Sequence, residues 1–160
     1  MKISALLAAG VAVTPAIAAA QSVTITIPQM KVSEYHKPYV AVWLEPAAGG
    51  KARTLAVWYD IKKGGAEPGT KWLADLRTWW RKGGRSLNMP ADGVSGATRA
   101  PGSYRIPLPA NLAPGAYTLH VEAAREDGGR ELVSVPLTIP APKGRAAGKT
   151  ELGAVTIAAR

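Results

Sequence analysis

Two hydroxyl groups and one carboxylate lie close together in a segment near the middle of the chain, which reads Asp-Gly-Val-Ser-Gly-Ala-Thr over residues 92–98. Gly96 and Ala97 carry almost no side chain, so a bulky group can approach the backbone beside Thr98. Successive backbone N–H groups in such a turn can form a concavity that binds an anion such as phosphate. Arg99 adds a positive charge next to this segment. These residue types are therefore compatible with a phosphate-bearing group at Thr98.

The same segment also fits two other interpretations. One is a Gly-rich surface turn, in which Ser95 hydrogen-bonds its own backbone. The other is the nucleophile elbow of serine hydrolases, because residues 93–96 begin like Gly-x-Ser-x-Gly. The elbow fails at its last glycine, where the chain has Ala97, and Pro101 breaks the helix that an elbow requires. No catalytic residue is therefore assigned.

All the specified positions of this segment resemble the recognition motif of FAD:protein FMN transferases, Asp-x-x-Ser/Thr-Gly-Ala-Thr/Ser. The resemblance implies that the transferase attaches FMN to Thr98 through a phosphoester bond. It also implies that the transferase recognises Asp92, which is then not a catalytic base of this protein. The expected cofactor-binding residues are Asp92, Ser95, Gly96, Ala97, Thr98 and Arg99.

The first twenty residues have the pattern of a secretory signal peptide. Lys2 gives the positive start, residues 3–13 are apolar, and the alanines at 18–20 form a cleavage site before Gln21. The apolar run is too short to span a bilayer stably, and no other segment approaches its length without charges. We therefore expect a periplasmic protein without a transmembrane segment of its own, in which residues 21–160 form one domain.

Composition excludes several kinds of site. The chain has no cysteine, which removes Fe–S clusters, cysteine-ligated zinc and c-type haem attachment. His36 and His120 share no ligand spacing, so no metal site is predicted. The formal net charge is +9, and loss of Lys2 with the signal lowers it by one. Because the charges are scattered and no aromatic-interleaved motif occurs, a flavin phosphate, anionic lipid or acidic redox partner explains them better than nucleic acid.

Period-two alternation dominates the mature chain and predicts a mainly β fold. Between residues 117 and 123, for example, apolar side chains alternate with Thr118, His120 and Glu122, which is typical of a half-buried strand. Residues 126–129 predict a hairpin turn. Seven short strands separated by Gly and Pro turns favour an antiparallel β-sandwich. The predicted strands are Ser22–Ile27, Tyr39–Glu45, Thr54–Asp60, Ser103–Leu108, Ala116–Ala124, Glu131–Ile139 and Leu152–Ala158.

One helix interrupts the strands. Thr70 is the predicted N-cap, residues 71–82 form the helix, and Gly83 ends it. The helix carries a tryptophan cluster that either packs onto the sandwich or forms an aromatic wall for an isoalloxazine ring. The members of this cluster are Trp72, Trp79 and Trp80.

Two long segments have no strand or helix periodicity. Residues 83–102 hold the motif, and a connection of this length in a small domain is usually functional or mobile. A modifying enzyme could reach the motif there. Residues 140–150 are rich in Pro, Gly, Lys and Ala and predict an exposed loop before the last strand.

The mature chain resembles a bacterial periplasmic family, domain of unknown function 2271, over nearly all of residues 22–140. Such proteins are associated with FMN transferases and with membrane reductases of the PepSY type. The resemblance implies an immunoglobulin-like fold with one short inserted helix. It also implies a small electron carrier that receives electrons from such a reductase. The likeness is carried by residues 36–43, residues 71–73 with Trp79, residues 95–99 and residues 115–126.

Two other functions stay open at this point. A β-sandwich also serves as a non-redox binding or structural module, because fold alone does not decide function. A periplasmic enzyme that uses the flavin to reduce a substrate of its own is the other alternative. The presence or absence of a covalent flavin separates the binding module from both redox functions.

Overall fold

All seven predicted strands form in the computed structural model, which describes residues 21–61 and 68–158. Two further short strands, at 95–97 and 144–147, lie in the segments that lack periodicity. The predicted hairpin turn also forms, since the N–H of Gly128 donates to the carbonyl of Arg125 at 3.0 Å. The strands are β1 (Ser22–Ile27), β2 (Tyr39–Pro46), β3 (Arg53–Tyr59), β4 (Ser95–Ala97), β5 (Gly102–Pro107), β6 (Gly115–Ala124), β7 (Arg130–Ile139), β8 (Gly144–Ala147) and β9 (Ala154–Ala158).

The strands form two sheets. One has the order β5-β1-β9-β8, and the other has the order β4-β3-β2-β6-β7. Neighbouring strands are antiparallel except β3 and β4, which run parallel. The prediction of a purely antiparallel arrangement is therefore wrong at this edge. The chain between β3 and β4 places helices on one face of the sheet, and such a crossover returns it in the same direction.

The alternating pattern directs one apolar face of each sheet into a shared core. Val23 of β1 and Val155 of β9 belong to the same buried cluster as Val42 of β2 and Leu119 of β6. All four side chains are fully buried. Each such side chain contributes about 1.5–3 kcal/mol of hydrophobic stabilisation. The core between the sheets therefore holds the domain together without a disulfide.

The opposite face of the five-stranded sheet is covered by short helices. Leu73, Leu76 and Trp79 pack there against Ala41 and Val57 in a second buried cluster. This cluster fixes the helices to the sheet beside the edge that carries β4. The helical segments are a 3₁₀ helix (Gly69–Asp75), helix α1 (Arg77–Lys82) and a second 3₁₀ helix (Gly84–Ser86).

The single helix predicted over residues 71–82 is divided at Leu76. Its first part is 3₁₀ rather than α, and it begins at Gly69 without a side-chain cap. The prediction of Thr70 as N-cap is therefore wrong, because this residue lies inside the 3₁₀ helix. Gly83 ends α1 as predicted, with a φ of 144° that favours glycine.

Glu122 explains why helix α1 begins where it does. Its carboxylate accepts the N–H groups of Thr78 at 3.1 Å and Trp79 at 2.8 Å. Arg130 donates to the same carboxylate at 2.7 Å. Alternation predicted a solvent-facing Glu122, but the residue is fully buried because α1 covers it. The cation and the hydrogen bonds offset the cost of burying this charge.

The segment 140–150, predicted as an exposed loop, contains β8, which pairs with β9. The carboxylate of Glu131 fixes the turn that follows β8, because it accepts four backbone N–H groups. Burial raises the pKa of Glu131, but these hydrogen bonds outweigh burial and hold the pKa below its ordinary value of 4.5. The N–H groups belong to Lys149, Thr150, Glu151 and Leu152, at 2.6–3.1 Å.

The predicted signal peptide, residues 1–20, lies outside the described residues, as do residues 62–67 and 159–160. Of the helices in the described part of the chain, none has the length and apolarity needed to cross a bilayer. A single domain over residues 21–160 stays a prediction.

Candidate functional site

The motif lies at the edge of the five-stranded sheet. Its central residues form β4, in which Ser95 pairs with Val57 and Gly96 pairs with Trp58. The N–H of Val57 donates to the carbonyl of Val94 at 2.9 Å. The N–H of Thr98 donates to the carbonyl of Tyr59 at 3.1 Å. These bonds hold the backbone on both sides of β4, so the chain leaves the sheet with Thr98 in a fixed place.

The two hydroxyl groups of the motif differ in their partners. The Ser95 hydroxyl accepts the N–H of Ala91 at 2.8 Å, and the Ser95 N–H donates to the carbonyl of Ala91 at 3.0 Å. The predicted local hydrogen bond of Ser95 is therefore confirmed. The Thr98 hydroxyl makes no hydrogen bond with any other residue that the structure describes, and Thr98 is half-buried. Only one of the two hydroxyls is thus available.

Gly96 lets two side chains close over β4. A Cβ atom at this position would lie 3.2 Å from Cδ1 of Trp58 and 3.7 Å from a terminal nitrogen of Arg99. The Arg99 guanidinium lies 5.2 Å from the Trp58 ring centroid and 5.7 Å from that of Tyr104. Cation–π contacts therefore hold Arg99 in place.

Two clefts adjoin the motif and divide its residues between them. Ala97 is exposed and lines neither cleft. Both clefts have the size of sites for small molecules. The first, here the Thr98 cleft, has about 660 Å³ and is lined by residues that include Tyr35, His36, Tyr39, Trp72, Arg77 and Thr98. The second, here the Arg99 groove, has about 590 Å³ and is lined by residues that include Arg53, Trp58, Asp92, Ser95, Gly96 and Arg99.

This division bears on the predicted phosphate site. Arg99 lines the second cleft and does not line the cleft that contains Thr98. Its role beside a phosphate stays a prediction. The backbone after Ser95 continues as β4 and then β5, without the helix of a nucleophile elbow.

The tryptophan cluster is split between core and surface. Trp79 is 1% exposed and packs on the sheet, which confirms the core interpretation for this residue. Trp72 is 47% exposed and lines the Thr98 cleft. Because Leu73, Leu76 and Trp79 occupy the buried side at intervals of three, the 3₁₀ helix turns Trp72 outward. A spacing of three rather than four was the signal for this difference.

Part of the Thr98 cleft holds buried polar atoms that have no hydrogen-bond partner among the described residues. These are Tyr35 Oη, His36 Nε2 and Arg125 Nη1. The Arg125 side chain is only 6% exposed and donates to Glu151 through its other nitrogens at 2.9 and 3.2 Å. Burial raises the pKa of Tyr35 above 10.0, so its hydroxyl stays protonated at neutral pH. Leaving a buried donor unsatisfied costs about 1–3 kcal/mol, which favours a ligand that reaches these atoms.

The cations of the Thr98 cleft fall into two groups. Arg125 and Arg130 are paired with buried carboxylates, at 2.9 and 2.7 Å. Lys37 and Arg77 are exposed and form no ion pair with another described residue. These two side chains are therefore free to pair with an anion in the cleft.

A hydrogen-bonded chain on the outer face of the five-stranded sheet was not found from the sequence. His120 Nδ1 lies 2.7 Å from the Ser134 hydroxyl, and His120 Nε2 lies 2.6 Å from the Glu45 carboxylate. The ring stacks on Trp43 at 5.0 Å, and Lys82 pairs with Glu45 at 3.0 Å. The four residues on strands meet because β2, β6 and β7 are neighbours, and Lys82 reaches Glu45 from helix α1. None of the five lines either cleft.

A second cluster stands at the margin of the Thr98 cleft. Single ligand atoms of Glu34, His36 and Asp127 lie within 4.8 Å of one another. His36 Nε2 is 3.4 Å from the Glu34 carboxylate and 3.8 Å from that of Asp127, without hydrogen-bond geometry. Both carboxylates are about three-quarters exposed, and exposed acidic groups are common in proteins without a metal ion, so the cluster carries no metal assignment.

The sequence profile of a family described as "Predicted periplasmic protein (DUF2271)" matches residues 20–154. This range includes the motif, the residues that line both clefts, and every strand except β9, of which it includes only the first residue. Neither a curated protein nor a solved structure matches the chain. The chain therefore belongs to this family of predicted periplasmic proteins, and its location is the periplasm.

Proposed function

We propose that this protein is an electron carrier of the periplasm whose Thr98 bears FMN through a phosphoester bond made by an FAD:protein FMN transferase. The observation that carries the proposal is the contrast between the two motif hydroxyls. The Ser95 hydroxyl is engaged by the backbone, whereas the Thr98 hydroxyl has no partner in the described part of the chain, and Thr98 lines a cleft of about 660 Å³. The motif resemblance names the same threonine as the acceptor.

Attachment uses FAD as the co-reactant. The Thr98 oxygen forms a bond to the phosphorus on the FMN side of the pyrophosphate, the bond from that phosphorus to the bridging oxygen breaks, and AMP leaves. The hydroxyl proton passes to a base of the transferase, and nothing is oxidised or reduced. The chain contributes an exposed turn with Asp92 for recognition, and the small, exposed Ala97 gives clearance beside Thr98.

The residues of the Thr98 cleft fit a tethered flavin. The cleft volume lies within the usual range for sites that hold a cofactor or drug-sized ligand. Lys37 and Arg77 are available to pair with the phosphodiester charge, and the Trp72 indole is available to an aromatic ring. When bound, the isoalloxazine ring supplies the electron-transfer chemistry, and the protein holds and orients it.

A covalent bond suits the periplasm, where free FMN is scarce and a dissociated cofactor would be lost. The resemblance implies a membrane reductase of the PepSY type as electron donor. The carrier then passes the electrons to an extracytosolic acceptor. The proposed arrangement of the two sheets is an immunoglobulin-like sandwich. A chain with a formal net charge of +9 favours redox partners with acidic surfaces.

The main alternative is a non-redox binding or structural module, for which the Thr98 cleft would hold a free ligand. The second alternative is a periplasmic enzyme that uses the flavin to reduce a substrate of its own. Colour is the first discriminator, because both redox functions require a yellow protein and a binding module does not.

The decisive experiment is co-expression of exported protein with a transferase, followed by intact mass and peptide mapping. Wild-type protein should gain the mass of FMN less one water. Thr98→Val deletes the hydroxyl while keeping its shape, so the adduct should disappear and the fold should survive. Ser95→Ala is the matched control, which removes the neighbouring hydroxyl and should keep the adduct. An adduct that persists in Thr98→Val, or a wild-type chain left unmodified beside an active transferase, would overturn the proposal.

A further inference from the structure

We propose that the Thr98 cleft is the docking site of the isoalloxazine ring, with the indole of Trp72 as its stacking surface and Tyr35 and Arg125 as its polar contacts. This inference rests on the proposed function, because it names where a flavin bound to Thr98 places its ring. It concerns side chains that no motif position specifies.

The state of Trp72 is the first argument. Trp43, Trp58 and Trp79 are at most 5% exposed, whereas Trp72 is 47% exposed on the wall of a concave site. Within the described residues, the Lys71 ammonium contacts the Trp72 ring, 5.0 Å from its centroid. A large apolar side chain left open in a cleft is typical of a ligand site, since burying it elsewhere would stabilise the fold.

The polar part of the cleft is the second argument. Tyr35 Oη and Arg125 Nη1 are buried hydrogen-bond donors without a partner among the described residues. The Arg125 guanidinium lies 6.0 Å from the Tyr35 ring centroid, so the two side chains are neighbours. An isoalloxazine ring combines an apolar benzenoid part with a pyrimidine part rich in carbonyl and ring-nitrogen acceptors. The cleft offers the complementary pair of surfaces, an open indole and unsatisfied donors.

The Arg99 groove does not offer these surfaces. Its tryptophan, Trp58, is 5% exposed and is contacted by Arg99 and Tyr104. A ring placed there would have to open the core between the sheets, to which Trp58 belongs. The groove also lacks Thr98. The Thr98 cleft is therefore the better site for the ring.

The first test uses protein whose FMN adduct has been verified by intact mass. Stacking of an aromatic heterocycle on one aromatic side chain changes a binding equilibrium by about tenfold or more, so Trp72→Ala should lower the ratio of docked to free ring by about that factor. Because an indole in contact with a flavin quenches its emission, flavin fluorescence per adduct should rise several-fold in Trp72→Ala. Trp72→Phe keeps an aromatic face and should retain most of the docking, as judged by the flavin absorption spectrum. Equal fluorescence of wild type and Trp72→Ala would overturn the docking site.

The second test does not need an adduct. Thr98→Val protein is titrated with free FMN while the indole N–H signals of its five tryptophans are followed by NMR. The Trp72 signal, assigned from the Trp72→Phe variant, should shift and saturate, and Tyr35→Phe should weaken this binding by several-fold. A shift confined to other tryptophans, or no shift at all, would overturn the docking site.

The two tests separate failure of the docking site from failure of the proposed function. Absence of any adduct beside an active transferase removes the electron-carrier function, and the titration then decides whether the cleft binds a free flavin. An adduct on Thr98 whose fluorescence does not depend on Trp72 leaves the electron carrier intact and removes the docking site.

Discussion

The Arg99 groove and the Thr98 cleft adjoin the same short strand and contain the same types of side chain in opposite states. In the groove, Trp58 is 5% exposed and lies under the Arg99 guanidinium, and the Ser95 hydroxyl accepts a backbone N–H. In the cleft, Trp72 is 47% exposed, and the Thr98 hydroxyl has no partner among the described residues. The two sites therefore share residue types, but only the cleft leaves its tryptophan ring and its hydroxyl accessible to a ligand.

The difference shows what each side of β4 can do. In the groove, the Arg99 guanidinium contacts the Trp58 ring and the Ser95 hydroxyl accepts the N–H of Ala91, so these contacts hold the motif in shape. In the cleft, the Trp72 ring is exposed and the donors Tyr35 Oη and Arg125 Nη1 lack a partner among the described residues, at an energetic cost that a bound ligand would recover. The Thr98 hydroxyl, which we propose as the acceptor, belongs to the open side. The motif of seven residues therefore combines a part held by its own contacts and a part that we propose is modified.

The largest expected effect is on the free energy of unfolding, and it distinguishes Trp58 from Trp72. Trp58→Ala removes a buried ring from the core between the sheets and should lower the free energy of unfolding by about 3–5 kcal/mol. Trp72→Ala removes a half-exposed ring and should lower it by less than about 1 kcal/mol. Urea denaturation followed by circular dichroism measures both, with the slope checked for two-state behaviour.

This comparison requires protein without FMN, because a docked flavin would add its own stabilisation. Protein made without a transferase meets this condition. A loss of several kcal/mol in Trp72→Ala would place the ring in the structural core of the helices and end the contrast between the clefts.

An effect of intermediate size is expected on the rate of FMN transfer, and it distinguishes the exposed carboxylates of Asp92 and Asp75. Asp92 lines the groove at the position that the transferase is expected to recognise, and Asp75 lines the cleft outside the motif. Loss of a charged hydrogen-bonded contact changes binding by about tenfold, so Asp92→Ala should slow FMN transfer by about that factor. Asp75→Ala should leave the rate of transfer near that of wild type.

The rate is measured by intact mass against time with limiting transferase. Circular dichroism of both variants serves as the control for folding, because both side chains are exposed. Equal rates for the two variants would mean that the transferase does not read the groove side of the motif.

The strands show which parts of the fold the sequence reveals. Seven have enough alternating residues to be predicted, and their observed bounds agree within one or two residues. β4 and β8 are Ser-Gly-Ala and Gly-Arg-Ala-Ala, which carry no alternation. Pairing with β3 and β9 makes them strands, and that pairing exists only in the folded chain.

The site was predictable only in part, for a related reason. The proposed acceptor and recognition residues lie within one short segment of the sequence, so a motif can carry them. The cleft is assembled from segments far apart in the chain, which contribute Tyr35, Trp72 and Arg125. The outward position of Trp72 depends on a 3₁₀ rather than an α turn, and Glu122 on β6 fixes where α1 begins. The position of Trp72 shows in the sequence only as a spacing of three, and the contact between Glu122 and α1 has no local signature.

The smallest expected effect concerns pH and a network that adjoins neither cleft. Burial lowers the pKa of His120 below 6.5 and outweighs Glu45, which raises it. Because the folded chain binds this proton less readily than the unfolded chain, stability is complete above about pH 6.5 and falls as the pH drops through the two pKa values. Glu131, with a pKa below 4.5, stays ionised above about pH 5 and does not contribute there.

The urea midpoint should therefore fall between about pH 7.5 and 5, less steeply in His120→Gln and as steeply as wild type in Trp72→Ala. A His120→Gln variant with the wild-type slope would show that another group causes the change, and a flattened slope in Trp72→Ala would couple the network to the Thr98 cleft.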